Sequence, residues 1–157
     1  MASAPSTPLT PRDPDFASRV RASFGRQAAM DTLGARLETV EAGRVVIELP
    51  FSTRLTQQHG FLHAGIVATA LDSACGYAAS TLMPADAGVL TIEFKINLMA
   101  PAQGRLFRMV GTVAKPGRTV TFTEGQAWAI DEQGGEKLVA TLSATLMTVT
   151  GREGIRH

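Results

Sequence analysis

Apolar and polar positions change period several times along the chain, and each change marks an element. Over residues 14–27, Phe16, Val20 and Phe24 recur at near-helical spacing, which predicts a short amphipathic helix. The period then falls to two. Leu33, Ala35 and Leu37 alternate with Gly34, Arg36 and Glu38. Past a turn at Glu41-Ala42-Gly43, Val45, Ile47, Leu49 and Phe51 alternate with Arg44, Val46 and Glu48. That predicts a hairpin with one buried face. A polar loop over 52–60 leads into an almost wholly apolar or small segment, 64–83, which Pro84 stops as a helix. The clearest alternation follows, with Leu90, Ile92, Phe94, Ile96 and Leu98 facing one way and Thr91, Glu93, Lys95 and Asn97 the other. Strands near 105–114 and 119–130 are joined by Lys115-Pro116-Gly117-Arg118, whose Pro-Gly is a type II turn signal. Gly134-Gly135 then turns the chain into a last strand, 137–149, with Leu138, Ala140, Leu142, Ala144 and Leu146 on one face.

The order is helix, two strands, long helix, four strands, with turns short enough for antiparallel pairing. One highly apolar helix and one-sided strands are satisfied together when the sheet wraps around the helix. The small residues Ala64, Gly65, Ala68, Ala70, Ala74, Gly76, Ala78 and Ala79 would let the sheet approach closely. The expected fold class is α+β, a single domain over 13–150 between a disordered tail at 1–12 and a short tail at 151–157. Twenty helical residues over 64–83 would span about 30 Å, enough for a bilayer. However, Asp72 lies near the middle, where a lone charge costs about 3 kcal/mol to insert, and no Lys/Arg cluster flanks the segment. A buried helix of a non-membrane protein is the expectation.

Composition narrows the class. Of 157 residues, 45% are apolar and 18% charged, which is globular rather than disordered. Fifteen basic against fourteen acidic residues, with no basic stripe, argue against nucleic acid as a partner. An anionic small molecule needs only a local pocket of positive charge. The single cysteine, Cys75, has no disulfide or CxxC partner and reads as a core thiol. The Ser/Thr/Pro-rich start lacks the pattern of a signal peptide, so a reduced cytoplasmic setting is expected.

The chain contains no GxxxxGK[ST], GxGxxG or GxSxG pattern, so nucleotide hydrolysis, hydride transfer and a serine triad lose support. Of the histidines His59, His63 and His157, the first two have i, i+4 spacing. No carboxylate lies between Thr53 and Leu71 to complete a metal site. No metal and no cofactor is expected. What remains is Gln57-Gln58-His59-Gly60-Phe61-Leu62-His63-Ala64-Gly65 entering the helix, and Asp72 within it. A helix start presents free N–H groups and the positive end of the macrodipole, which suit a carbonyl oxygen gaining charge during attack. The alternative is that Gly60 and Gly65 merely shape a loop and a tight contact. A lone carboxylate on an apolar helix is disfavoured unless paired or functional; it could also reach solvent or a subunit contact. His63 and Asp72, nine residues apart, would lie about 13 Å apart along a helix and on opposite sides of it. One chain cannot bring both to one reaction centre, whereas two chains about a two-fold axis can.

Gln57-x-x-Gly60-x-x-His63-Ala64-Gly65, followed by Leu71-Asp72, resembles the hotdog thioesterases of the phenylacetate-degradation (PaaI-like) type. Their pattern is Asn or Gln, x-x-Gly-x-x-His-Gly-Gly, with an acid nine residues past the His. The strand from Thr91 to Pro101 and Gly117-Arg118-Thr119 are similar to further family motifs, and the likeness covers about residues 33–149. The resemblance implies a sheet wrapped around a central helix, dimers with a continuous sheet that often pair into tetramers, and acyl-CoA bound at the dimer interface. Carried over, Asp72 would be general base or nucleophile, and the N–H of Ala64 or Gly65 would hold the thioester oxygen. Gln57, or Gln58 if the loop is shifted by one, would orient substrate or water. His63 would position loop and thioester, and Thr91 would help hold the water. Ala64 departs from the family glycine, leaving a methyl near the substrate's path. Arg118 and Lys115, beside Gly117 at a hairpin tip, are candidates for the CoA phosphates, with Arg54 a weaker one. The rival readings are a hotdog enoyl-thioester hydratase or dehydratase, and a non-catalytic acyl-CoA-binding protein.

Overall fold

The computed structural model describes residues 9–155, so the expected tails fall partly outside the described residues, at 1–8 and 156–157. In chain order the elements are α1 (Phe16–Phe24), α2 (Ala28–Leu33), β1 (Arg36–Glu41), β2 (Arg44–Pro50), a 3-10 turn (Thr53–Leu55), α3 (Ala64–Ser80), β3 (Gly88–Leu98), β4 (Leu106–Lys115), β5 (Val120–Ile130) and β6 (Glu136–Val149). The six strands form one antiparallel sheet in the order β1-β2-β4-β5-β6-β3. It wraps around α3, which touches β2 through β6.

The small residues of α3 work as expected. A Cβ built on Gly111 of β4 would lie 2.3 Å from the Ala74 carbonyl oxygen, so only glycine lets the sheet come this close to the helix backbone. From Leu71 to Ser80 every residue of α3 except Asp72 is buried. Among the described residues no helix is long and apolar enough to cross a membrane.

Several expectations need correction. The first helix does not run to residue 27. It stops at Phe24, Gln27 leaves helical geometry (φ −81°, ψ 92°), and a second helix, α2, buries Met30 and Leu33. Leu33 therefore ends a helix rather than starting a strand; Gly34, at φ 68°, turns the chain into β1. Phe51 lies beyond β2 and is 37% exposed, because pairing with β4 ends at Pro50. Helix α3 ends at Ser80, short of Pro84. Gly117 is not at positive φ, so the Pro-Gly pair does not make the type II turn. Glycine is required there by close approach, since a Cβ would lie 2.0 Å from the Val120 carbonyl oxygen.

The alternation of β3 is broken by a bulge at Ile92, between the pairs Thr91↔Leu146 and Glu93↔Thr145. Directly opposed residues share a face. Beyond the bulge Phe94, Ile96 and Leu98 lie with Ala144, Leu142 and Ala140 on the helix side; before it, Thr91 lies there with Leu146. Thr91 thus turns toward α3, and Leu90 turns away from it. A second bulge, at Val139 in β6, buries Val139 in place of Leu138.

Several side chains hold the N-terminal helices against α3, and Arg19 makes the most bonds among them. Arg19 donates from Nε to Asp13 at 2.7 Å and from Nη2 to both the Ser80 and Met83 carbonyls, at 3.1 and 3.2 Å. The Ser80 carbonyl, which also accepts the Met83 N–H, and the Met83 carbonyl lie at and just past the end of α3, where a cation answers the helix dipole. The hydrogen bond from Arg19 holds the Asp13 carboxyl below its ordinary value. Phe24 packs its ring on Tyr77 of α3 at 5.7 Å.

Candidate active site

His63 caps the N-terminus of α3. Its backbone is extended (φ −63°, ψ 137°), and its Nδ1 accepts the Gly65 N–H at 2.9 Å. An accepting Nδ1 carries no proton, so the neutral ring bears it on Nε2. The bond occupies the Gly65 donor and leaves the Ala64 N–H without a partner among the described residues. Of the two donors the sequence offered, Ala64 is the one free to bind an oxygen, at the positive end of a 17-residue helix. Ahead of it, Gln57 and Gly60 close a turn, with the Gly60 N–H on the Gln57 carbonyl at 3.0 Å. The Gln57 side chain accepts the His59 N–H and, with Ala64, lines a cavity of about 440 Å³. Gln58 is exposed, its amide 3.4 Å from the His59 ring, and lines none of this cavity.

Asp72 lies on α3 facing β3, partly buried. Thr91, turned inward by the bulge, donates to Asp72 Oδ1 at 2.9 Å. Burial pushes the Asp72 carboxyl above its ordinary value, and the Thr91 hydrogen bond opposes that rise. Asp72 and Thr91 line a separate cavity of about 260 Å³. The chain therefore brings together Gln57 with Ala64, and Asp72 with Thr91, but not the two pairs with each other. Along one helix His63 and Asp72 remain about 13 Å apart on opposite sides. Burial also pushes the Cys75 thiol up to about 12, the behaviour of an inert core thiol.

Gly117 and Arg118 line a third cavity of about 290 Å³, whereas Lys115, at the end of β4, is exposed and lines none of the three. Arg54 faces a different cavity, beside Asp31. Two residues at these sites escaped the sequence reading. Arg12, counted with the tail, lines the same cavity as Arg118. Gln27, counted as the end of a helix, donates to Ser73 Oγ at 3.3 Å and lines the Asp72 cavity, while its Oε1 is buried without a partner. Neither had a local signal, because each reaches its site only through the packing of the N-terminal segment.

Comparison with known proteins places this geometry. Residues 59–136 match the Thioesterase superfamily. A candidate esterase of Saccharolobus solfataricus is 34% identical over 109 residues, covering 69% of this chain and 77% of that protein. A 1,4-dihydroxy-2-naphthoyl-CoA hydrolase of Listeria monocytogenes is 26% identical over 74% of this chain and 91% of its own. Among solved structures, a thioesterase family protein from Silicibacter pomeroyi is 54% identical, with a TM-score of 0.85, covering 87% of this chain and 99% of that one. The Escherichia coli PaaI protein from the phenylacetic acid degradation operon has the same fold, at 17% identity and a TM-score of 0.75 over 87% of this chain and 95% of its own. With a sheet wrapped around α3 and the matched segment carrying both the helix start and Asp72, the chain belongs to the thioesterase superfamily, as a thioester hydrolase of the hotdog fold.

Proposed function

We propose that the protein hydrolyses acyl-CoA thioesters at a site built from two copies of the chain, with the Ala64 N–H of one and Asp72 of the partner subunit. The observation that carries this reading is Asp72 itself, a partly buried carboxylate with raised proton affinity and one oxygen fixed by Thr91. A carboxylate oriented in this way is suited to take a proton from water. The resulting hydroxide adds to the thioester carbon, and the carbonyl oxygen becomes an oxyanion on the Ala64 N–H. Collapse breaks the C–S bond, and the CoA thiolate takes the proton back from Asp72, leaving the free acid. Gln57 orients the acyl group or the water, and His63 holds the loop through its bond to Gly65. Arg118, Lys115 and the backbone at Gly117 meet the CoA phosphates. Direct attack by Asp72 would instead form a mixed anhydride. Label in the Asp72 carboxylate after a single turnover in ¹⁸O-water would establish the anhydride route, since only water attacking the anhydride at the Asp72 carbonyl carbon can place it there.

The test is Asp72→Asn, which keeps shape but removes the proton acceptor. Turnover should fall by about two to four orders of magnitude, with little change in acyl-CoA affinity. Near-normal turnover in a correctly assembled variant would remove Asp72 from the chemistry. Crotonyl-CoA separates the hydratase reading: hydrolysis releases thiol, whereas hydration removes the enone absorbance without releasing it.

A further inference from the structure

We infer that Gln27 is a further catalytic residue, its side-chain oxygen holding, together with Asp72, the water that attacks the thioester. This rests on the proposed role of Asp72 as the base. Gln27 reaches the Asp72 cavity from a fixed point. It is the N-cap of α2; its own N–H donates to the Phe24 carbonyl at 3.0 Å, and its carbonyl accepts the Met30 N–H at 2.9 Å. Met30 is fully buried and anchors this junction between the two N-terminal helices. From there Gln27 Nε2 donates to Ser73 Oγ, on the residue next to Asp72 in α3, at 3.3 Å. The polar side chains lining the cavity are Gln27, Asp72, Ser73, Tyr77 and Thr91. Thr91 gives its proton to Asp72 Oδ1, Gln27 Nε2 is turned to Ser73, and Tyr77 pairs with Ser23 at 3.5 Å. Two acceptors are left without a donor among the described residues, Asp72 Oδ2 and the buried Gln27 Oε1. They cannot bond each other while Asp72 is ionised, because neither carries a proton. Water answers both, with one O–H for each, and a buried acceptor of this kind is what an ordered water commonly satisfies. The cavity, about 260 Å³, has room for one. A water held by both its protons turns its lone pairs outward, toward a thioester held by the second copy. In the addition step Asp72 takes one proton, a lone pair forms the C–O bond, and the carbonyl π pair moves onto its oxygen. The other proton stays on the new hydroxyl, still donated to Gln27. Oε1 is shielded within one chain, so a second copy adds cover to this pair rather than creating it.

The test is Gln27→Met in the full-length protein, which keeps an unbranched side chain of similar length but has no oxygen. With the water held by Asp72 alone, kcat should fall about ten- to a hundred-fold, the scale of a reactant displaced by about an ångström, while KM stays within about two-fold. In an Asp72→Asn background, where the water is no longer activated, the same substitution should change kcat by less than about two-fold. Ser73→Ala removes the hydroxyl that fixes the amide and leaves Gln27 in place. It should lower kcat about three- to ten-fold, the worth of one hydrogen bond, and add nothing further to Gln27→Met. Should Gln27→Met fail to assemble, Ser73→Ala carries the same cycle with Asp72→Asn. A parental kcat in Gln27→Met or in Ser73→Ala, a loss carried by KM, or an equal loss with and without the Asp72 carboxylate would each overturn the inference. So would a crystal structure of the assembled protein in which Oε1 is bonded to a protein donor of the second copy instead of to water. Parental kcat in Gln27→Met beside an inactive Asp72→Asn would defeat the role of Gln27 alone. Near-normal turnover in Asp72→Asn would defeat the hydrolytic reading on which that role rests.

Discussion

At Asp72, burial and hydrogen bonding pull in opposite directions, and the balance sets a pH dependence. Desolvation raises the carboxyl above its ordinary value of 3.8, and Thr91 pulls it partway back. Only the ionised form can accept a proton from water, so activity should be lost as pH falls through the raised value. Thr91→Val removes the donor to Oδ1, so the acid limb of the kcat profile should move to higher pH; an unmoved limb would show that this bond does not act on the reacting carboxylate. Stability runs the other way. The folded state holds its proton more tightly than the unfolded chain, so stability is lost as pH rises from the ordinary value through the raised one. Asp72→Asn should therefore melt higher than the parent at neutral pH, while being inactive. Asp72 was legible in the sequence because a charge on an apolar helix is conspicuous. The choice of Ala64 over Gly65 was not, since it depends on where the His63 ring nitrogen points.

The elements divide by how local their causes are. Helix α3 and the long strands β4, β5 and β6 were legible to within a few residues, because their period and their bounding glycines and prolines agree. What the alternation of β3 could not reveal is the bulge at Ile92, which depends on its pairing with β6 and turns Thr91 onto Asp72. The N-terminal segment is the other case. Its apolar spacing suited one helix, whereas burial of Met30 and Leu33 breaks it into two and delivers Gln27 to Ser73. Arg19 is another tie between this segment and α3, and with Asp13 it is nearly buried, at 9% and 8% side-chain exposure. Arg19→Ala removes a charged donor from the Ser80 and Met83 carbonyls and from the Asp13 carboxylate, so Tm should fall by roughly 5–10 °C. An unchanged melting curve would mean that the N-terminal helices are held without Arg19, by apolar packing and their other polar contacts.

On the scale of the whole molecule, the apolar row on β3 that reads as a buried face lies in a single chain at the sheet's open edge. Ile92, Phe94 and Leu98 are exposed there beside a backbone edge that no other strand among the described residues pairs. A long, apolar, unpaired edge is an invitation to pair, and in the dimer we propose its occupant would be the β3 of a second copy, with the sheet continuing through both. The same association answers the separation of His63 from Asp72, if each site takes its helix start from one chain and its carboxylate from the other. Two separately inactive variants test that sharing. Asp72→Asn lacks the base, and Ala64→Pro lacks the N–H that would hold the oxyanion. Proline is tolerated there because Ala64 is the first helical residue, and the extended backbone of His63 suits a following proline. Mixed and reassembled one to one, half the dimers would be hetero-dimers, each with one doubly damaged and one intact site. Activity should recover to about a quarter of the parent level per chain. Mixing that yields hetero-dimers by mass but no recovery would show that each chain carries its whole site, and the shared reaction centre would have to be abandoned.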